Sequence, residues 1–587
     1  MAKQQGAVVS RRTVLRGAMV AGMVTAGASS LRPVRATADP GRRVVVLGGG
    51  VAGLTAAHEL AERGFDVTLY ERRALGGKAR SIPVPGSGRD GRADLPGEHG
   101  FRFFPGFYKH IPDTMRRIPF PGNANGVWDN LVAAPEARFS RRGTDDTVLP
   151  MGRAGKLWTS PDDFRQTVGS VVATSMRMPM VDAGYFANRL LVYCTSCDDR
   201  RFGEWEKVAW RDFVGARGRS TEFRILLSRT LTTLLVAAKD DQASTRTIGN
   251  MGEQFLGNPM EIADDGPLDR VLDGPTSEAW IDPWVRHLRG LGVRFVTGEV
   301  RGLTVRDKRI ATARIADGSC GESEVDADYF VLAVPTEVAR TLWTPEILAV
   351  RPELAAMANL VVDWMTGIQF YLRRPAVIAR GHTAYVDSPW SLTSIAQNQF
   401  WARTALPGYG DGTVQDCLSV DVSDWNTPGP LFGKPAKECT HDEIAREVWA
   451  QLRAHLKGRA ELRDEDLHSW FLDSGIAWDA AQHRNTNADP LLINTAGSWA
   501  SRPSVHGALE NLFLAGDYVR TGVDLATMEG ACEAARTAVN ALLEVSGSNA
   551  ERCKLFSLYR AVELEPMRQL DISRYASGQP NIFDIPV

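Results

Sequence analysis

The feature that most constrains the fold is a glycine pattern near residue 50, placed between an apolar run and a helical pattern. Residues 44–47 are continuously apolar, which is typical of a short strand buried in a parallel sheet. Gly48, Gly50 and Gly53 then form the pattern G-x-G-x-x-G, and small apolar residues continue at helical spacing. A second strand follows. This order predicts a βαβ unit that binds a dinucleotide.

Each glycine has a physical role at such a site. Gly48 permits the tight turn, Gly50 lets the backbone approach a pyrophosphate, and Gly53 lets the helix pack closely on the strand. The helix then begins at Val51 and Ala52, and its N-terminal N–H groups face the negative phosphate charge. The flanking strands make this nucleotide interpretation much stronger than the glycines would alone.

The second strand, FDVTLYE, ends at an acidic residue, Glu71, eighteen residues after Gly53. A carboxylate at this place can accept hydrogen bonds from the adenosine ribose. Arg72 follows it directly, and we assign it to the same site. The chain continues as RALGGKARS, and a glycine pair here is not needed for NAD, which indicates a different dinucleotide.

The segment RALGGKARS resembles the glycine-glycine-basic loop of the flavin amine oxidoreductase superfamily, which wraps the phosphates of FAD. Gly76, Gly77 and Lys78 match that loop, and the resemblance implies Arg80 as a further contact. The resemblance therefore implies FAD as the cofactor.

A second block, EHGFRFFPGFYKH at 98–110, is similar to one in plant-type phytoene desaturases and related squalene- and carotenoid-modifying flavoenzymes, including hydroxysqualene dehydroxylases. In those enzymes a glycine-aromatic turn lies close to the flavin. His99, Gly100 and Tyr108 fall on this turn. The resemblance implies that these three residues lie near the reactive ring.

The C-terminal region resembles the second FAD motif of the same superfamily. In NLFLAGDY, Gly516 leaves room for a ligand at the end of a buried strand, and Asp517 can accept hydrogen bonds from the ribityl hydroxyls. Met528 and Glu529 begin the next helix, whose backbone N–H groups can meet the polar edge of the flavin. The aspartate and the methionine favour the carotenoid-desaturase side of the superfamily over the amine-oxidase side.

Between these motifs, the resemblance brings the backbone of one valine, here Val300, to the adenine, and a strand at 327–335 returns to the nucleotide domain. The residues assigned to FAD are therefore Gly48, Gly50, Val51, Ala52, Gly53, Glu71, Arg72, Gly76, Gly77, Lys78, Arg80, His99, Gly100, Val300, Gly516, Asp517, Met528 and Glu529.

The predicted fold class is α/β, and α+β overall, with a Rossmann-like FAD-binding domain assembled from discontinuous segments and a mixed-sheet and helical substrate domain. We expect the FAD-binding domain at 41–110, 276–340 and 506–545, the substrate domain at 111–275 and 341–505, and a C-terminal tail at 546–587. In the substrate domain, 365–372 alternates like a strand, and Thr440 with Glu443 predicts a capping box at the start of a helix.

The N-terminus predicts export. Arg11 and Arg12 are adjacent and precede a mild apolar run, and ATA at 36–38 offers small residues to a signal peptidase. Residues 1–38 therefore match a twin-arginine signal peptide, which is carried by the twin-arginine translocase after folding. A periplasmic or extracellular location follows, with a chance arginine pair as the alternative.

The charge balance of the chain limits the classes of partner it can have. The chain has 68 basic and 70 acidic residues with no basic patch, which argues against a nucleic-acid partner. The apolar stretch 223–239 predicts a buried helix, with a surface that touches a membrane as the alternative.

The chain has seven cysteines, of which Cys194 and Cys197 form a CxxC pair. Unpaired thiols, a disulfide and redox or metal chemistry remain alternatives for this pair, and we assign no metal site.

The leading functional hypothesis is an oxidoreductase in which a substrate C–H bond delivers hydride to FAD. The resemblance implies an apolar isoprenoid substrate, with a quinone or dioxygen as electron acceptor. His99 and Tyr108 are the candidate bases if a proton must also leave, although His99 could simply pack beside the flavin. The alternatives are an exported amine or amino-acid oxidase and a flavin-bearing carrier without a substrate pocket.

Overall fold

The structure, a computed structural model, describes residues 42–152, 158–257, 267–318, 321–456 and 461–585. The predicted signal peptide at 1–38 lies outside the described residues.

The strands and helices are numbered separately in chain order. The strands are β1 Arg43–Leu47, β2 Asp66–Glu71, β3 Ser81–Pro83, β4 Pro96–Glu98, β5 Leu131–Ala133, β6 Glu136–Ser140, β7 Thr147–Pro150, β8 Arg270–Leu272, β9 Arg294–Thr297, β10 Glu299–Arg306, β11 Arg309–Ala316, β12 Glu322–Val325, β13 Tyr329–Leu332, β14 Val361–Asp363, β15 Thr366–Leu372, β16 Gly381–Tyr385, β17 Leu392–Ala396, β18 Asp416–Val422, β19 Leu467–Leu472, β20 Ile476–Asp479, β21 Arg484–Asn487, β22 Leu491–Ile493 and β23 Leu512–Leu514. The helices are α1 Val51–Glu62, α2 His110–Arg116, α3 Pro161–Ser175, α4 Met180–Thr195, α5 Asp198–Gly203, α6 Trp210–Phe213, α7 Thr221–Phe223, α8 Leu231–Val236, α9 Thr245–Gly257, α10 Asp282–Gly290, α11 Thr336–Ala339, α12 Pro345–Val350, α13 His441–His455, α14 Met528–Val545 and α15 Glu565–Ala576.

A five-stranded parallel sheet forms the centre of the nucleotide-type domain, with the strand order β23–β13–β1–β2–β9. In register, Leu47 of β1 lies between Leu332 of β13 and Tyr70 of β2. The strands come from three distant parts of the chain, so this sheet is assembled from discontinuous segments. The predicted Rossmann-like α/β fold is therefore confirmed.

The first helix packs on this sheet through a backbone contact. A methyl group built on Gly53 of α1 would lie 1.8 Å from the carbonyl oxygen of Gly48. Gly48 itself has φ +107°, a conformation that side-chain-bearing residues rarely adopt. Glycines at these two positions thus allow α1 to approach the end of β1, as the pattern predicts.

A seven-stranded mixed sheet organises the other region, with the order β19–β15–β18–β17–β16–β6–β7. Its neighbours are antiparallel except for β16 and β6, which run parallel. Helix α13 packs on one face through apolar side chains, and it begins with the predicted capping box between Thr440 and Glu443. The predicted strand 365–372 is confirmed as β15.

Helices α3, α4, α7, α8 and α9 share a second apolar core. Between α7 and α8, Arg224–Thr230 forms a π-helix. In this stretch Phe223, Leu226 and Leu227 are buried, which agrees with the buried-helix interpretation of 223–239. None of the described helices combines the length and the apolar character needed to cross a bilayer.

The C-terminal segment is held against the helical region. Asp571 of α15 is buried and accepts hydrogen bonds from Arg200 Nε at 3.0 Å and from the Cys197 backbone N–H at 2.9 Å. Arg568 donates to the Cys194 carbonyl at 3.0 Å. Cys194 and Cys197 are both buried and unpaired, and burial raises the pKa of each thiol, which favours the structural-thiol alternative.

The packing at Gly53 gives a testable prediction. Gly53→Ala should destabilise the protein by about 3 kcal/mol, because the added methyl forces α1 away from the sheet. Thermal or denaturant unfolding measures this loss. Gly184→Ala in the interior of α4 is the matched control, since a methyl there meets no atom within 4 Å; it should be neutral or stabilise by up to about 1 kcal/mol. Equal stability of the two variants would contradict the prediction.

Candidate active site

One continuous cavity of about 980 Å³ lies at the carboxyl ends of the central parallel strands. The glycine segments of the sequence motifs line one part of it. Side chains of the helical region and of the seven-stranded sheet line the rest, including Trp158, Val168, Val172, Leu226, Leu231 and Leu256. A nucleotide-type site and an apolar chamber are therefore parts of the same space.

The two glycine segments lie directly against each other. Gly50 pairs with Gly76 as an isolated bridge, and the Gly76 backbone N–H donates to the Gly49 carbonyl at 2.8 Å. A methyl built on Gly77 would lie 2.9 Å from the Gly50 Cα. Gly76 and Gly77 both have positive φ, so glycine is favoured there by the backbone conformation as well as by the close contact. The result is a narrow cradle with bare backbone walls.

Glu71 lies at the end of β2 and lines the cavity together with Arg72. Its carboxylate accepts hydrogen bonds from the backbone N–H of Gly49 at 2.7 Å and of Arg73 at 2.9 Å. These bonds fix the carboxylate beside the cradle. Each oxygen keeps a lone pair that can accept a ribose hydroxyl.

Lys78 and Arg80 line the same part of the cavity. The Lys78 ammonium lies 3.4 Å from the Glu337 carboxylate and also donates to the Pro490 carbonyl. Arg80 donates to the Gly77 carbonyl at 2.6 Å, which ties its guanidinium to the loop. Val300, on β10, lines the cavity as well.

Gly516 and Asp517 come just after β23, separated from it by Ala515, and line the cavity. Burial raises the pKa of Asp517, while the charges of Lys78 and Arg502 act in the opposite direction. Arg502 is fully buried and donates to the carbonyl oxygens of Asp517, Tyr518 and Val519. This arginine therefore holds the turn that carries Asp517.

The two residues at the start of α14 have different surroundings. Met528 lines the cavity. The Glu529 carboxylate is buried and accepts from the backbone N–H groups of Lys109, His110 and Ile111, at 2.7, 2.7 and 3.0 Å. Its side chain thus caps α2, which leaves its backbone as the part available to a cofactor.

His99, Gly100 and Tyr108 all line the cavity, as the second block of the sequence predicts. His99 Nδ1 forms a hydrogen bond with Asp473 Oδ2, and the other Asp473 oxygen accepts from the Gly475 backbone at 2.8 Å. Burial, and secondly the charge of Glu529, raise the pKa of the Tyr108 phenol. A deprotonated Tyr108 is therefore disfavoured near neutral pH, and His99 is the better base of the two.

A cluster of His58, Glu62 and His287 outside the cavity has ligand atoms within 4.8 Å of one another. Trp284 Nε1 donates to His58 Nδ1 at 3.1 Å, so His58 Nε2 carries the hydrogen that is donated to Glu62 at 3.0 Å. Arg117 pairs with the same carboxylate. With both ring nitrogens of His58 engaged and a guanidinium adjacent, this is a hydrogen-bonded group and not a metal site.

The cavity fits FAD on the geometry of its cradle. The cradle is formed by glycine backbone and has no room for side chains, which suits a pyrophosphate. The carboxyl groups of Glu71 and Asp517 adjoin the cradle and can each accept hydrogen bonds from hydroxyl groups of the cofactor. Beyond the cradle the same cavity continues between apolar side chains, where a substrate could lie.

Comparison with known proteins settles the family. The model of the family described as flavin containing amine oxidoreductase matches residues 51–543, which is most of the chain. The protein belongs to this family. It is an FAD-dependent oxidoreductase, as the sequence motifs predict.

Two relatives illustrate the similarity. A zeta-carotene desaturase of Synechocystis sp. is 24% identical over 540 residues, which cover 85% of this chain and 97% of that protein. A carotenoid phi-ring synthase of Chlorobaculum tepidum is 25% identical over 298 residues, which cover 48% of this chain and 41% of that protein. The chain thus spans less than half the length of the second relative.

Solved structures show the same fold at low identity. Wild-type putrescine oxidase bound to putrescine has a TM-score of 0.55 at 13% identity, over 85% of this chain and 99% of that chain. An oxidoreductase from Methanosarcina mazei has a TM-score of 0.54 at 13% identity, over 85% and 99%. At this identity the likeness concerns the fold alone.

Sequence reasoning missed several residues of the site. Asp473 is far from His99 in sequence, and Arg502 and Asp421 belong to no recognisable motif. The spacing around these residues gives no signal, because the fold brings Asp421 to the cavity wall, Asp473 to His99 and Arg502 to the Asp517 turn from distant parts of the chain. A flavin carrier without a substrate pocket, one of the predicted alternatives, does not agree with a cavity that extends from the cradle into the apolar chamber.

Asp517 gives the prediction for cofactor binding. Asp517→Asn should weaken FAD retention by about 1–3 kcal/mol, since a charge-assisted hydrogen bond to a ribityl hydroxyl is lost. The measurement is the dissociation constant of FAD after reconstitution of the apoprotein. Asp90→Asn is the control, because Asp90 has a side chain that is 84% exposed on a loop. Unchanged FAD affinity in Asp517→Asn would show that the residue is misassigned.

Proposed function

We propose that the protein is an exported FAD-dependent dehydrogenase or desaturase that acts on an apolar, isoprenoid-like substrate by hydride transfer to the flavin. The observation that carries this proposal is the continuity of the cavity, in which the glycine cradle opens into an apolar chamber. A long apolar substrate would gain roughly 0.8 kcal/mol for each methylene it buries there. The similarity to a zeta-carotene desaturase supports the same substrate class.

The cofactor contacts are part of this proposal. The backbone at Gly50 and Gly77 would receive the pyrophosphate, Glu71 the adenosine ribose, and Asp517 the ribityl chain. The backbone of Val300 would meet the adenine, and that of Met528 the polar edge of the flavin. When bound, FAD supplies the acceptor for the two electrons of the hydride. The chain supplies the orientation and the exclusion of water.

His99 is the residue proposed to hold or accept a proton. Burial alone would raise the pKa of Asp473, but the hydrogen bond and the charge of His99 bring it below its usual range, so Asp473 is ionised. An ionised Asp473 keeps a hydrogen on His99 Nδ1 and orients the ring. When the imidazole ring is neutral, the lone pair of His99 Nε2 would be available to a proton released by the substrate.

The electrons would pass from the flavin to a quinone or to dioxygen. A peripheral membrane contact would serve both an apolar substrate and a quinone. In its favour, Val171 lines the cavity and is 52% exposed, and Met180 and Val181 at the start of the next helix are 62% and 78% exposed. The proposed contact therefore lies on the α3–α4 hairpin and not on 223–239.

The second candidate function is an amine or amino-acid oxidase. The observation in its favour is a buried carboxyl group on the cavity wall, Asp421, which could pair with an ammonium group. The apolar side chains of α3, α8 and α9 that line the chamber favour the first candidate. Both agree with membership of the family.

A substrate screen separates the two candidates. Oxidised holoenzyme is mixed anaerobically with carotenoid precursors, isoprenoid alcohols and simple amines, and the flavin absorbance is followed. We expect bleaching by the apolar compounds, because the chamber supplies binding energy to alkyl chains but not to charged groups. Bleaching by amines with none by the isoprenoids would overturn the proposal and favour the oxidase.

Export rests on the pattern at residues 1–38, where Arg11 and Arg12 are the recognised pair. Replacement of both arginines by lysine should leave active, FAD-loaded protein in the cytoplasm, since the signal is an address that the translocase reads. Cell fractionation with activity or flavin measurement checks this. The matched control is Arg42→Lys, which makes the same change just after the predicted signal. Export of the double variant at the wild-type level would remove the localisation proposal.

A further inference from the structure

The cavity wall formed by the seven-stranded sheet is polar at one place. In register, Phe139 of β6 lies beside Ala384 of β16, Ala384 beside Thr393 of β17, and Thr393 beside Asp421 of β18. All four residues line the cavity, so they form one row on the inner face of the sheet. His382, two residues before Ala384, lines the same space. Thr393, Asp421 and His382 thus form a polar cluster on this wall, and Arg102, Arg138 and Asp269 line the same cavity.

Each of these three side chains has a buried polar atom that lacks a partner. Asp421 Oδ1, Thr393 Oγ1 and His382 Nε2 form no hydrogen bond with any part of the chain that the structure describes. Buried polar groups in proteins are nearly always paired, and unpaired ones cost free energy. Three such atoms on residues around one cavity indicate a ligand that supplies the missing partners.

The hydrogen-bonding character of His382 follows from its neighbours. His382 Nδ1 lies 2.7 Å from Asp269 Oδ2, and this buried carboxylate takes the hydrogen on Nδ1. In the neutral ring Nε2 is therefore an acceptor. The rings of Phe101 and Phe103 lie against the imidazole, with centroids 5.0 and 5.2 Å away, and limit its rotation.

Asp421 can act as either donor or acceptor. Burial raises its pKa to about 7, with a smaller contribution from Glu98. The charge of Arg102, the Phe101 backbone N–H and, when its ring is protonated, the charge of His382 act in the opposite direction. Its Oδ1 lies over Gly100, where an added methyl would approach it to 2.5 Å, so the carboxyl group lies beside the block that the sequence assigns to the flavin.

We propose that Asp421, Thr393 and His382 form a hydroxyl-binding subsite, and that the substrate is an apolar chain carrying an alcohol group. A hydroxyl group donates one hydrogen and accepts others, which matches an acceptor on His382 together with two groups that can do either. An ammonium group only donates, and the nearby positive charge of Arg102 disfavours it. This inference rests on the proposed function, because it names the class of compound that the apolar chamber receives.

The test compares ligands that differ only in the hydroxyl group. Holoenzyme is titrated with decanol, decane and decylamine, and binding is followed through the perturbation of the oxidised flavin spectrum. We expect decanol to bind at least about tenfold tighter than decane, the equivalent of one hydrogen bond of about 1.4 kcal/mol. Thr393→Val, which keeps the shape of the side chain, should reduce this preference several-fold.

The matched control is Ser419→Ala. Ser419 lies on the same strand as Asp421 and is buried, but its hydroxyl accepts from Gln369 Nε2 at 3.2 Å and does not line the cavity. This variant should keep the full preference for decanol. Equal affinities of decanol and decane in the wild type, or an equal loss in both variants, would overturn the subsite. Tighter binding of decylamine would assign the cluster to an amine instead.

A second measurement tests Asp421 without any ligand. Folding raises the pKa of Asp421 to about 7, so the ionised carboxylate is less favourable in the folded state than in the unfolded state. The free energy of unfolding therefore falls as the pH rises from about 4 through about 7. Asp421→Asn should therefore raise the melting temperature at pH 8 but not at pH 4. An equal shift in melting temperature at pH 4 and pH 8 would contradict the raised pKa of the Asp421 carboxyl group.

These outcomes can be separated from those of the substrate screen. If no apolar compound reduces the flavin, the proposed reaction fails, but the decanol and decane affinities still report on the subsite. If isoprenoids reduce the flavin and the hydroxyl group makes no difference to affinity, the reaction stands and the subsite is wrong.

Discussion

The close approach of backbone segments at the end of β1 is the constraint on which the rest of the structure depends. Gly53 contacts the carbonyl of Gly48, and Gly77 contacts the Cα of Gly50, with no side chain between them. Because the walls are bare backbone, the helix N-terminus and the loop after β2 can surround a pyrophosphate. A methyl group at Gly53 or Gly77 would move α1 or this loop and open the cradle.

The cradle and the chamber are joined by residues that hold loops in place. Arg502 supports the turn at Asp517, Glu529 links α14 to α2, and Asp473 orients His99. These contacts bring the C-terminal motif, the block at 98–110 and the substrate region around one space. The same arrangement leaves one polar atom each of Asp421, Thr393 and His382 buried on the sheet wall without a partner among the described residues, and we propose that they select a substrate with a hydroxyl group.

Much of the fold could be predicted from local patterns. The β1–α1–β2 unit, the strands at 327–335 and 512–514, β15 and the capped helix α13 all carry signals in adjacent residues: apolar runs, glycine spacing or a capping box. The family and the cofactor followed from motifs at both ends of the chain. The side-chain direction of Glu529 could not be predicted in this way, because its partners are the backbone N–H groups of α2, more than 400 residues earlier.

The sequence by itself determined the elements whose cause is local: the nucleotide-type βαβ unit, the glycine positions and the FAD family. Glycine spacing and the ends of apolar strands restrict the local backbone conformation in any fold. They can therefore be recognised in the sequence without knowledge of tertiary contacts. Only the tertiary structure decided that Asp473 orients His99, and that helices between residues 158 and 257 line the chamber. It also decided that Asp421, Thr393 and His382 line one cavity, each with one buried polar atom that has no partner among the described residues. These residues lie on separate strands and loops, and their burial, pKa and hydrogen bonding depend on which distant segments pack around them.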